Sequence, residues 1–195
     1  MRLFLVPVLA YLIGSFSSAY VVGRVFKNID ITKLGSGNPG TTNAMRVMGK
    51  KFGLLTFALD FLKGIVASLV GLYLYGYYGS LIASLFVVIG HDWPVFFKFK
   101  GGKGIATIIA ALAVLQFQLT LISVLIGVIV AAISRYVSLG SIVFLAINFL
   151  LSFSGIIEID IYTQLIYFLL FLLGSYRHKD NIKRLLSGTE NRIGR

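Results

Sequence analysis

Cysteine is missing from all 195 residues and charge is scarce. Without cysteine there is no disulfide framework, no thiol nucleophile and no thiolate metal site. Charged side chains make up 13% of the chain and hydrophobic ones 57%, against about 25% and roughly 45–50% in soluble domains. The mean hydropathy is +0.90. That balance excludes an ordinary soluble globule and predicts an integral membrane protein. Familiar catalytic patterns are absent as well. Neither His91 nor His178 has an aspartate five positions on, and Leu34 stands where a Gly-x-Ser-x-Gly elbow around Ser36 needs its first glycine. No group of His and carboxylates suggests a metal.

What the chain does have is repeated apolar runs of membrane-crossing length. They predict an all-α fold with spans near 3–23, 53–76, 80–97, 104–116, 118–134, 137–155 and 160–176: seven crossings in a single transmembrane domain over 1–195, with no soluble domain left over. The apolar stretch 105–133 is too long for one comfortable span, so we break it at Gln116-Phe117-Gln118. Of the 18 Lys and Arg, all but Arg2 and Lys63 then fall in alternate loops, while the opposite side holds Arg2, Glu158 and Asp160. By the positive-inside rule the N-terminus is outside and the C-terminus cytoplasmic. The net charge of +11 is therefore sorted by membrane side rather than gathered for nucleic acid, and we expect no nucleic-acid partner. Ser17-Ser18-Ala19 resembles a signal-peptide cleavage site, but the thin basic region before it favours a retained helix.

Three glycine-rich or basic stretches interrupt the hydrocarbon, all on the expected cytoplasmic side. In the first, Gly35, Gly37 and Gly40 permit unusual backbone angles, and Ser36, Asn38, Thr41, Thr42 and Asn43 add donors, so the segment can curl around an anion. It is not a nucleotide P-loop, because Thr41 stands where the lysine belongs and Pro39 lacks an N–H. The second stretch packs Lys98, Lys100 and Lys103 among Gly101, Gly102 and Gly104. Lys98 and Lys100 suit anionic headgroups, whereas Lys103, flanked by glycines, suits a bound phosphate. The third, 177–186, reads as a short interfacial amphipathic helix.

Buried charge supplies the remaining candidates. Asp60 and Lys63 lie about one helical turn apart within the second span, as a structural ion pair or as support for a site. His91 beside Asp92 is either a base with its carboxylate or an interfacial structural residue; neighbours on a helix point in different directions. A site rich in phosphate ligands and poor in bases implies a reaction whose leaving group is already activated.

These residues carry a family resemblance. Gly35-Ser36-Gly37-Asn38-Pro39-Gly40-Thr41-Thr42-Asn43, Gly90-His91 with the run from Lys98 to Gly104, and His178-x-x-Asn181-Ile182-x-Arg184-Leu185 with Gly188-x-Glu190 resemble the three signature loops of the bacterial acyl-phosphate:glycerol-3-phosphate acyltransferases, the PlsY family. The resemblance spans the chain in order and length. It implies transfer of a fatty acyl group from acyl-phosphate to the 1-hydroxyl of glycerol-3-phosphate in the bacterial cytoplasmic membrane, without cofactor or metal. It implies catalytic roles for Ser36, Lys103 and Asn181, and glycerol-3-phosphate binding by Ser36, Arg46, Lys103, His178 and Asn181. It implies an acyl-phosphate cradle from Gly37, Asn38, Gly40, Thr41, Thr42, Asn43, Gly101, Gly102 and Gly104, with Asp60, Lys63, His91, Arg184 and Glu190 in support. Membrane lipid and the two substrates are the expected partners, with no protein partner evident. The alternatives are a small anion transporter or channel with re-entrant glycine loops, disfavoured by its nearly bare external loops, and a lipid-binding scaffold, which leaves the glycine loops unexplained.

Overall fold

The computed structural model describes residues 2–193; Arg195 and the side chain of Arg2, both used in the charge-side argument, lie outside that description. Among the described residues there are helices and no strand. Two compact units divide the chain, one ending at Leu115 and the other beginning at Gln116.

In the first unit, the expected first span is two helices, α1 (Arg2–Gly14) and α2 (Ser18–Lys27). The break falls at Ser15-Phe16-Ser17 and frees backbone carbonyls there. α3 (Thr41–Met48) is short; α4 (Lys50–Asp92) is long but reverses at Tyr75 and Gly76, whose φ of 61° and ψ of −156° only glycine adopts comfortably. The two arms of α4 run back to back. A Cβ on Gly71 would collide with the Gly79 carbonyl, and one on Gly79 with the Gly71 carbonyl, the close approach that small residues permit between membrane helices. The second arm ends at Asp92, not at 97; Val95–Phe97 is a separate 3₁₀ turn. α1 packs on this arm through Gly14 and Gly90, whose backbones meet. α5 (Ile105–Leu115) packs on the first arm at Gly64, where the Thr107 carbonyl lies 2.6 Å from the place of a Cβ.

The second unit holds α6 (Phe117–Ser134), α7 (Val137–Leu151), α8 (Ile161–Arg177) and α9 (Lys179–Leu186). α6 and α7 approach at Gly127 and Gly140, α7 and α8 at Gly174 against Leu145. The expected span 137–155 stops at Leu151, and α8 starts where Asp160 caps it, accepting from the N–H groups of Tyr162 (2.9 Å) and Thr163 (3.2 Å). Burial raises the Asp160 carboxyl, but these bonds and one from the Thr163 hydroxyl outweigh it and hold it below the usual carboxylate range.

Large apolar side chains face outward along these helices: Phe4 is 78% exposed, Tyr73 88% and Ile133 81%. Outward hydrocarbon of this extent calls for lipid. Three helical stretches, Leu3–Lys27, Lys50–Phe97 and Phe117–Ser134, are long and apolar enough to cross a membrane. Ile105–Leu115 and Val137–Leu151 are shorter apolar helices.

Candidate active site

The glycine loop is held by a small apolar cluster from α2, α3 and the turn between them: Ala19, Val22, Ile31, Ala44 and Met48. Asp30 starts it, accepting from the Thr32 hydroxyl at 2.6 Å and the Thr32 N–H at 3.1 Å. The Thr32 hydroxyl, aided by Arg24, keeps the Asp30 carboxyl below its ordinary range. Gly35 and Gly37 both take positive φ, 59° and 71°, so the chain doubles back tightly. Asn43 braces this curl from inside: its Oδ1 accepts from the Ser36 N–H at 2.9 Å, and its Nδ2 donates to the carbonyls of Leu34 (2.9 Å) and Ile31 (3.4 Å). At 2% exposure, the Asn43 side chain is spent on bracing the loop from within. Its inward turn is a property of the packed loop and is not visible in the sequence. Ser36, Thr42 and Arg46 are exposed, Gly37, Asn38 and Thr41 half-buried, and Gly40 buried. The first turn of α3 leaves N–H groups with no intrahelical carbonyl, a natural anion contact.

Deeper in the same unit, four polar side chains meet in apolar surroundings. Asp60 Oδ1 accepts from Ser18 Oγ at 2.7 Å and pairs with Lys63 Nζ at 2.9 Å. Lys63 also reaches His91 Nδ1 at 2.8 Å and the Phe16 carbonyl at 2.8 Å. All four side chains are buried. His91 thus faces Asp60, 3.5 Å from its Oδ1, and not through a dyad with its neighbour Asp92. The fold-back of α4 makes that pairing, and sequence spacing carries no sign of it. Ser18, which the sequence offered only as a cleavage-site residue, belongs to this network.

The lysine–glycine loop rests on the same histidine. Gly102 N–H donates to the His91 carbonyl at 3.1 Å. A Cβ on Gly102 would strike the His91 ring, one on Gly101 the His91 carbonyl, and one on Gly104 would crowd Val88 and Asp92. Gly104 alone of the three has positive φ, 74°. Gly101 and Gly102 are therefore glycine because His91 fills the space, whatever a phosphate also requires of them. Lys98 and Lys100 are exposed; Lys103 is half-buried.

The C-terminal unit holds a second set. His178, 3% exposed, ends α8 with its Nδ1 2.8 Å from the Gly174 carbonyl, so the network assigns the proton to Nδ1. Glu190 gathers three donors: Asn181 Nδ2 and Arg184 Nε at 2.7 Å and Ser138 Oγ at 3.0 Å. Burial raises its carboxyl, but those three bonds prevail and lower it. Asn181 is 6% exposed, oriented by the acid nine positions on. Ser138 went unrecognised in the sequence because it lies on α7, far from the motif it completes.

No group of three or more His, Cys, Asp or Glu that would hold a metal occurs among the described residues.

The family model for glycerol-3-phosphate acyltransferase matches residues 4–188. The chain is 46% identical to the glycerol-3-phosphate acyltransferase of Thermoanaerobacter sp. (strain X514), covering 97% of this chain and 95% of that protein. It is 44% identical to that of Carboxydothermus hydrogenoformans, over 97% and 96%. Two crystal structures of PlsY, an integral membrane glycerol 3-phosphate acyltransferase, superpose on all of this chain and 96% of theirs at 37% identity. The glycerol 3-phosphate form has a TM-score of 0.93 and the lysophosphatidic acid form 0.91. With both units matched end to end and the glycine loops inside the matched span, this chain belongs to the glycerol-3-phosphate acyltransferase family.

Proposed function

We propose that this protein is a glycerol-3-phosphate acyltransferase that moves a fatty acyl group from acyl-phosphate to the 1-hydroxyl of sn-glycerol-3-phosphate. The acyl carbon–phosphate oxygen bond breaks, an ester bond forms, and the hydroxyl proton ends on the phosphate. Lysophosphatidic acid and phosphate leave. The observation that carries this reading is the near-complete superposition on PlsY in forms named for that acceptor and that product.

An acyl-phosphate is a mixed anhydride, so its phosphate departs readily and the protein can contribute mainly proximity and anion stabilisation. The positive-φ curl at Gly35 and Gly37 and the first turn of α3 suit the donor's phosphate, while its chain stays in lipid. Exposed Arg46 and half-buried Lys103 serve the acceptor's phosphate, with His178, and Ser36 and Asn181 orient it. The loops work at the cytoplasmic face of the bacterial inner membrane. No side chain serves as an indispensable general base; a substrate phosphate oxygen takes the proton.

The test is purified protein in detergent with acyl-phosphate and glycerol-3-phosphate. Lysophosphatidic acid and phosphate should appear in equal amounts, and coenzyme A thioesters should give none. Product from the thioester but not from acyl-phosphate would replace the donor in this reading.

A further inference from the structure

Lys63 has three N–H donors and three acceptors within reach: the Phe16 carbonyl (2.8 Å), Asp60 Oδ1 (2.9 Å) and His91 Nδ1 (2.8 Å). The first two are acceptors only, so Lys63 donates to both. Its third N–H is left for His91 Nδ1, which then presents a lone pair; Asp60 Oδ1, 3.5 Å from the same nitrogen, is already engaged at shorter range by Ser18 and Lys63. The ring is thereby held as the Nε2–H tautomer, with Nε2 on the edge against which Gly102 packs.

The ring's orientation has consequences for the loop above it. Gly102 is fastened to the His91 carbonyl at 3.1 Å, and Gly101 and Gly102 are each moulded on His91 so closely that a Cβ at either would overlap it. On the far side Gly104 is wedged against Val88 and Asp92. Lys103 sits between these two anchor points. Phe16 belongs to the α1–α2 break and Asp60 and Lys63 to the first arm of α4, so one ammonium ties two segments to His91, the seat of the loop.

We infer that His91 is a positioning residue, locked as the Nε2–H tautomer by Lys63, which fixes the backbone of residues 101–104 and so the place of the Lys103 ammonium. Its role in turnover rests on the acyl-transfer reading above; its tautomer does not.

Two measurements separate these. The chain has two histidines, so ¹⁵N-histidine NMR of the detergent-solubilised protein resolves both rings. His91 should show an unprotonated Nδ1 and protonated Nε2, opposite to His178, whose Nδ1 donates to the Gly174 carbonyl. Lys63→Met should abolish the His91 pattern and leave that of His178. A His91 ring protonated at Nδ1 in the wild-type protein would overturn the lock, whatever the enzyme catalyses.

The kinetic arm uses His91→Asn, whose side-chain oxygen can replace Nδ1 as acceptor, and His91→Leu, which cannot accept. Wild-type turnover with acyl-phosphate is the control for the activity itself. We expect His91→Leu to raise KM for glycerol-3-phosphate tenfold or more with a smaller change in kcat, and His91→Asn to recover most of that loss. In a Lys103→Ala background, His91→Leu should cost less than twofold further, because the group it positions is gone. If Asn fails to rescue while the protein stays folded, or the two losses multiply in full, His91 does not act through Lys103.

Discussion

Lys103 and Lys98 share a loop, a charge and a residue type, yet one is half-buried between glycines and the other exposed. A cation facing a phosphate in a partly dehydrated site has few substitutes, whereas one facing headgroups is screened by water and salt. Lys103→Ala should therefore lower kcat/KM at least a hundredfold in protein that still folds, and Lys98→Ala less than about threefold; equal losses would remove the distinction. Asn43 works by another route. Asn43→Ala strands the Ser36 N–H and the Leu34 carbonyl, a cost of about 1–3 kcal/mol for a buried unpaired group. It should lower the melting temperature and activity together, while Thr42→Ala, on an exposed side chain, should leave the melting temperature within error. An Asn43→Ala protein of full stability but no activity would make Asn43 a direct ligand instead of a brace.

At the scale of elements, the C-terminal segment hangs on one carboxylate. Glu190 joins α9, through Asn181 and Arg184, to α7 through Ser138, and Ile193 N–H adds a bond to the Arg135 carbonyl at 2.8 Å. The Glu190 carboxyl is lower in the folded state than in the unfolded chain. Its contribution is thus fully present above the unfolded value of about 4.3 and is lost as the pH falls through the folded one. Glu190→Gln should cost up to about 1.5–3 kcal/mol at neutral pH, the range of charge-assisted bonds. The gap between the two proteins' melting temperatures should close as the pH drops below about 4, because protonation makes the wild type resemble the variant. A gap constant across that range would mean the charge contributes nothing.

For the molecule as a whole, orientation follows from the loops' charges. The protein has no cysteine, so each engineered thiol reports alone. In intact cells an impermeant thiol reagent should label Glu158→Cys and spare Thr41→Cys and Ser187→Cys. Labelling of Thr41→Cys from outside would put the glycine loop on the wrong face for the proposed reaction.

Composition and period alone determined the membrane class, because each helix must bury its own backbone and clothe itself in hydrocarbon whatever its neighbours do. They also located the interruption at Gln116, where φ is −145° and ψ 81°, and the start of the last span near 160; that Asp160 caps α8 there is a finding of the structure. The three loops could be read because glycine, lysine and small donors state their chemistry within a few positions. Gly14 and the serines at 15, 17 and 18 interrupt the apolar run 3–23, but composition alone does not tell a polar helix face from a break at Ser15-Phe16-Ser17, whose freed Phe16 carbonyl finds its partner in Lys63, 47 residues away. Tertiary structure alone decided that His91 answers to Asp60 and Lys63 rather than to Asp92, that Asn43 turns inward, and that Ser138 completes the Glu190 cluster. The His91 contacts depend on where the backbone reverses at Tyr75 and Gly76 and how closely the α4 arms pack, the Ser138 contact on how α7 meets α9, and the Asn43 contacts on the curl of its own loop. Such distances are set by packing between segments remote in sequence, and no local pattern encodes them.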